Sequence, residues 1–232
     1  MYLHRFQGMK TEQDHRDEII RFGKLLHQTG LVAATDGNLS VRLGGGRFLC
    51  TPTLMSKGLM EPDDLVIVDA HGQQISGSRG VSSEFAMHLF IYRNRPDVRA
   101  VVHAHPPTAT GFAAAGIPLD SALCSEIVIT LDKVPLANYG TPGTPELAEA
   151  LAPLIADHDA ILMANHGVVT YGEDLLTAYM NMETVEHYAK IALVTHMLGK
   201  QQPLSDTHVS KLREIRLKYH AQNHVGAGRG DD

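Results

Sequence analysis

The 232-residue sequence predicts an α/β fold in which strands and helices are interleaved without a regular parallel β-α-β alternation. Short runs rich in β-branched residues, such as Leu65-Val66-Ile67-Val68 and Val98 to His105, recur between segments with apolar residues at helical spacing. Tight turns such as Gly44-Gly45-Gly46 join neighbouring strands, which favours antiparallel pairing.

Taken in order, Thr11 to Leu26 carries Ile19, Phe22, Leu25 and Leu26 at helical spacing, and Gly30 supplies a stop. Leu39 to Leu43 and Arg47 to Cys50 read as two strands. Ser82 or Ser83 is positioned to cap a helix bearing Phe85, Leu89 and Tyr92 that stops before Pro96. Val98 to His105 reads as a strand ended by Pro106-Pro107, and Thr108 to Ala115 as a short helix closed by Gly116. Ile127-Val128-Ile129 and Val134 to Ala137 are further strand candidates. Pro145 begins a helix reaching Ile155, and Ala160 to Ala164 is a strand running into Asn165-His166-Gly167. A long helix spans Glu173 to Leu198 with Tyr179, Met182, Glu186, Ala189 and Leu193 on one side, and a last helix covers Asp206 to Tyr219. Residues 1–224 are expected to form one domain, and Val225 to Asp232 a disordered tail.

Composition narrows the function classes. Hydrophobic residues make up 44% and charged residues 20%, enough to bury a core. Twenty Lys+Arg against 26 Asp+Glu give a net charge of −6, so a role in neutralising nucleic acid is not expected. No apolar run approaches the roughly 20 residues of a membrane span. Met1-Tyr2-Leu3-His4-Arg5 has no signal-peptide core, and Cys50 and Cys124 form neither a thiolate zinc motif nor a disulfide framework. The expected compartment is the cytosol.

The chain has 14 histidines. His103 and His105 stand two apart in a strand, so both imidazoles project from one face just where prolines end it. That arrangement favours one metal ion over two unrelated half-buried rings. His166, at the end of another apolar strand and followed by Gly167, is the best third ligand. Three imidazoles leave a coordination position open, as at a catalytic zinc. Glu183 and His187 form an i,i+4 pair that reads as a surface pair. The remaining histidines, such as His15, His27, His71, His158, His196 and His208, read as surface residues. Glu84 is either a simple helix-start carboxylate or a general base near the metal, with Ser82, Ser83 and nearby N–H groups forming an anion site. The turns Asp36-Gly37-Asn38 and Thr51-Pro52-Thr53 can add donors to the same anion.

Gly37-Asn38-Leu39-Ser40-Val41-Arg42, Thr51-Pro52-Thr53, Ser82-Ser83-Glu84, Val101-Val102-His103-Ala104-His105 and Asn165-His166-Gly167, in that order, resemble the class II aldolase/adducin family over roughly residues 12 to 220. Within it the motifs are most similar to those of L-fuculose-1-phosphate aldolases. The resemblance implies a three-layer α/β/α sandwich with a largely antiparallel central sheet, assembled as a homotetramer with active sites between neighbours. It implies Zn²⁺ (or another divalent ion such as Mn²⁺ or Co²⁺) on His103, His105 and His166, and Glu84 as acid/base. Gly37, Asn38, Thr53, Ser82 and Ser83 would bind the substrate phosphate, and Tyr219 would donate a proton at the aldehyde end. The implied reaction cleaves a ketose 1-phosphate to dihydroxyacetone phosphate and an aldehyde through a metal-stabilised enediolate. No Schiff-base lysine is needed, which leaves Lys57 and Lys133 structural.

Two departures bear on the substrate. Leu54 stands where the family commonly has glycine after Thr-Pro-Thr and is expected to narrow the pocket. No tyrosine occurs between Ile117 and Cys124, where the fuculose enzymes have one. The alternatives within the family are a sugar-phosphate 4-epimerase, which usually carries Asp in place of Glu84, a keto-acid phosphate decarboxylase and a pyruvate-type aldolase. A non-catalytic adducin-like interaction domain is disfavoured by the presence of all three histidines.

Overall fold

The computed structural model describes residues 10–225, with side chains followed to residue 218. Thr11 opens helix α1 (Glu12–Gln28) with a reciprocal cap: its hydroxyl accepts from Asp14 N–H while the Asp14 carboxylate accepts from Thr11 N–H. Strands β1 (Asn38–Gly44) and β2 (Arg47–Cys50) form the expected hairpin, and Gly44, Gly45 and Gly46 all have positive φ. Then follow β3 (Val66–Val68), β4 (Gln74–Ser76), α2 (Phe85–Asn94), β5 (Ala100–Ala104), α3 (Pro107–Ala114) and α4 (Ser125–Thr130). The chain continues through β6 (Leu136–Ala137), α5 (Pro145–Leu151), β7 (Ala160–Met163), β8 (Gly167–Gly172), α6 (Leu175–Met197) and α7 (Asp206–Val225).

One sheet runs in the order β4-β3-β2-β1-β5-β8-β7-β6, antiparallel throughout except for the β6·β7 pair. Alternation along the strands sorts side chains onto two faces. On one, Leu39, Val41, Ala100, Val102, Leu162 and Val168 pack under α1 and α6 through Ile19, Phe22, Leu26, Met182 and Ala189. On the other, Phe48, Val101, Ile161, Val169 and Tyr171 pack under α2 and α5 through Phe85, Leu89, Tyr92, Leu147 and Leu151. The result is the expected three-layer sandwich. His103 shares the parity of Val101, so its ring lies on the α2 side.

Several local expectations are corrected. Ile127-Val128-Ile129 lies in helix α4, not a strand; Ile127 and Val128 are buried, and α4 packs against α7. Residues 168 to 171, given no strand from sequence, form the interior of β8. Neither serine caps α2: Glu84 occupies the cap position without capping, and Ser82 Oγ instead accepts weakly from Glu84 N–H at 3.4 Å. Tyr219 and the expected tail fall outside the side chains and residues described.

The carboxylate of Glu186, buried on α6, reaches the start of α3 and accepts from Thr108 N–H at 3.1 Å and Ala109 N–H at 2.9 Å. It neutralises two orphan donors directly after His105-Pro106-Pro107. Glu186→Ala strands those donors, so a loss of about 1–3 kcal/mol is expected from urea denaturation. An unchanged midpoint would show that water or another group replaces the carboxylate.

Candidate metal and acid/base site

The site forms where the ends of β1, β5 and β7 meet the start of α2. Asn38, the first residue of β1, lies directly opposite His103 in the β1·β5 ladder, so both side chains face α2. His105 continues past the end of β5. His166 follows β7 through Asn165, whose φ of 55° turns the chain sharply. The three rings converge, with centroids 4.8, 4.7 and 5.2 Å apart. One nitrogen from each lies within 4.8 Å of the others.

Gly167 and Gly37 make this approach possible. A Cβ at Gly167 would lie 2.5 Å from His105 Cδ2 and 2.7 Å from the Ala104 carbonyl oxygen. Gly37, at φ +72°, has room for no side chain either, because a Cβ would sit 2.7 Å from the His103 carbonyl oxygen.

Hydrogen bonds define how the rings are presented. His103 Nδ1 lies 2.8 Å from the Val168 carbonyl, which only accepts, so Nδ1 carries the proton and Nε2 the lone pair. Burial pushes the His103 pKa down to about 3, keeping the ring neutral, and it lowers that of His105 too. His103 Nε2 then points at His105 Nε2, 3.0 Å away, and at Glu84 Oε2, 3.4 Å away. Glu84 Oε1 is 2.9 Å from His166 Nε2, and Asn38 Nδ2 donates to Oε2 at 2.8 Å. Burial alone would raise the Glu84 carboxyl, but the positive charge that the His103 and His166 rings carry when protonated, the hydrogen bond from His166 Nε2 and the Asn38 amide outweigh it. They hold the acid well below the usual carboxylate range. Neutral ring nitrogens and an ionised carboxylate thus converge on one point. A borderline-soft divalent cation fits that donor set.

The other expected residues lie beside this cluster. Thr51 N–H donates to the Leu39 carbonyl, which lays Thr51-Pro52-Thr53 along the start of β1. Thr53 N–H donates to the Gly80 carbonyl, and Pro52 bridges Val81, so Thr53 runs beside the approach to Ser82. Thr53 and Ser83 are exposed, whereas Thr51 is buried with its hydroxyl accepting from Leu39 N–H. Ser82 takes up the N–H groups of Glu84 and Phe85, through its hydroxyl and its carbonyl, so those two are not free for an anion. Leu54 is 84% exposed in the single chain, and its φ of 53° explains why glycine suits this position. A non-glycine residue there costs on the order of 1–2 kcal/mol.

His88 departs from the surface reading of the remaining histidines. It is buried one turn after Glu84, with Nδ1 2.7 Å from Ser40 Oγ and its pKa pushed down by burial to about 4. Ser40 also meets Tyr92, tying β1 to α2. Only the helical spacing from Glu84 could have signalled it. The surface reading of His187 holds: it is exposed, and Glu183 instead accepts from Tyr179 OH at 2.6 Å.

With fold and site in place, comparison with known proteins gives the class. The profile described as "Class II Aldolase and Adducin N-terminal domain" matches residues 17–193. The chain belongs to the class II aldolase/adducin family. It is 37% identical to 3-oxo-tetronate 4-phosphate decarboxylase of Escherichia coli (strain K12) over 212 residues, covering 89% of this chain and 97% of that protein. It is 34% identical to 5-deoxy-D-ribulose 1-phosphate aldolase of Bacillus thuringiensis serovar kurstaki over 201 residues, covering 86% and 94%. A solved L-fuculose 1-phosphate aldolase superposes with a TM-score of 0.81 at 35% identity, covering 87% of this chain and 95% of that one.

Gly167→Ala tests the packing of the rings. Because the methyl would collide with His105, metal retention after dialysis should fall by about tenfold or more, as for other disturbed ligand supports. Full retention, read by elemental analysis, would mean that His105 does not need its present place.

Proposed function

We propose that this chain breaks a carbon–carbon bond beside a carbonyl in a phosphorylated, sugar-derived substrate, and that the reaction is retro-aldol cleavage of a ketose 1-phosphate. The observation that carries this is the Glu84 carboxylate, fixed between Asn38 Nδ2 and His166 Nε2 at the edge of three converging imidazoles. A Zn²⁺, or another divalent ion, held by His103, His105 and His166 would supply Lewis acidity for the negative charge that develops on substrate oxygens.

The chain's own groups manage the proton. Asn38 donates to Oε2 and so holds Glu84 as an acceptor. Glu84 takes the proton of the substrate hydroxyl as the bond breaks, its electrons staying with the ketone fragment. The same proton then goes to that fragment's carbon, so the cycle is balanced without an external acid. Tyr219 remains the candidate relay for that proton at the aldehyde end, passing it from the hydroxyl to Glu84 in cleavage and donating it to the aldehyde oxygen in the reverse direction. The hydroxyls of Thr53, Ser82 and Ser83, with the close-approach turn at Gly37-Asn38, are assigned to the phosphate. A cytosolic homotetramer completes the reading, supported by exposed Met180, Val194 and Met197 on α6, by exposed Leu198 just after it, and by two free thiols.

Decarboxylation of a 3-oxo acid phosphate is the second reading. It is favoured by the relative of that name and by the lack of a tyrosine between Ile117 and Cys124. Loss of CO₂ has no aldehyde end to protonate and draws its carbon-bound proton from solvent, with Glu84 as carrier.

The experiment incubates the metal-loaded protein with ketose 1-phosphates and with 3-oxo acid 4-phosphates, measuring dihydroxyacetone phosphate and CO₂. Aldehyde release without CO₂ supports the first reading, and CO₂ alone the second. Glu84→Gln should keep metal and fold but lose about 10²–10⁴ in rate. Undiminished turnover in that variant would assign the base elsewhere. Asn38→Ala/Ser82→Ala should erode the preference for phosphorylated over unphosphorylated substrate, mainly through KM. Equal activity of the wild type on both forms would remove the phosphate from the proposal.

A further inference from the structure

Lys57 is buried, with 1% of its surface exposed, yet its ammonium is hydrogen-bonded to neither the imidazoles nor Glu84. Its ammonium donates to the carbonyls of Thr35 and Met55, each at 2.7 Å. These two carbonyls belong to different loops, one leading from α1 into β1 and the other leaving β2. Each directly follows a non-glycine residue in the left-handed region, Ala34 at φ 45° and Leu54 at φ 53°. Such backbone persists only where its surroundings over-determine it. Lys57 pins both loops at their strained points. Burial pushes its pKa down to about 8, against an opposing pull from the carboxylates of Asp36 and Glu84.

The residue after the first clamped carbonyl is Asp36. Its Oδ2 lies 3.5 Å from His105 Nδ1, on the side of that ring away from His103. His105 thus has an acceptor behind Nδ1, as His103 has in the Val168 carbonyl. A carboxylate there favours the Nδ1–H tautomer, leaves the Nε2 lone pair facing the cluster, and raises the basicity of the ring.

We propose that Asp36, held by the Lys57 clamp, is the positioning residue for His105. The inference rests on the reading of His103, His105 and His166 as metal ligands. It adds that this part of the site is organised by a charged support outside the ligand set.

The test titrates Co²⁺ into the metal-stripped full chain, following the visible absorption of the bound ion, with far-UV circular dichroism to monitor the fold. Asp36 is about half exposed, at 48%, so its variants should fold. Asp36→Ala should weaken Co²⁺ binding by about 10- to 100-fold and shift the absorption bands. Asp36→Asn, which keeps an acceptor but not the charge, should lose less, and Asp36→Glu should recover part of the affinity. Lys57→Met should weaken binding in the same direction. Combined with Asp36→Ala, it should add little, because the two act through one contact. If Lys57→Met does not fold, the Asp36 series decides alone. Wild-type affinity and an unshifted spectrum in Asp36→Ala would overturn this inference and leave the metal site standing. A wild type that binds no Co²⁺ would overturn both.

Discussion

The hydrogen bond from His103 Nδ1 to the Val168 carbonyl joins the sheet to its chemistry. It exists because the β5·β8 ladder pairs His103 with Val169 and Ala104 with Val168, which brings the carbonyl alongside the ring. The same ladder delivers Gly167 beneath His105, and the β1·β5 ladder delivers Asn38 opposite His103. A slip of one residue in β5 would send His103 to the α6 face and leave Glu84 without its neighbours. The register of two central strand pairs is therefore also the register of the site.

Around that bond the electrostatics are one-sided. Ring lone pairs and the Glu84 carboxylate meet in a buried setting where water cannot solvate them freely, and such groups repel one another unless a proton or a cation lies between. The buried ammonium of Lys57 has its donors spent on two loop carbonyls. Positive charge is used to shape the backbone, while the centre is left to attract a cation.

Much of this was legible in the sequence. The two-residue spacing of His103 and His105, the strand-ending prolines and the glycine after His166 are local signals that express strand geometry directly. What escaped is set by tertiary context. Ile127-Val128-Ile129 has strand-like composition but turns helical because two of its residues are buried where α4 packs against α7 and α6. Val168-Val169 lies in a short stretch between the Asn165-His166-Gly167 turn and the long helix, and no element is assigned to it from sequence. The outward direction of Leu54 follows from its φ, which cannot be read from residue type alone. His88 is a lone histidine on a helix face, and its one-turn spacing from Glu84 is the single local sign that sets it apart from a surface residue.

The groups of the site are drawn from residues 36 to 166, and the two central ladders that position them pair segments far apart in the chain. Closing such long loops is slow, and the pairings give no return until the loops are closed. The donor set consequently depends on long-range pairing, unlike that of a small zinc module, where one short stretch of chain supplies every ligand. A cation bound there would reach a scaffold already built, and the architecture must tolerate its own crowded lone pairs until then.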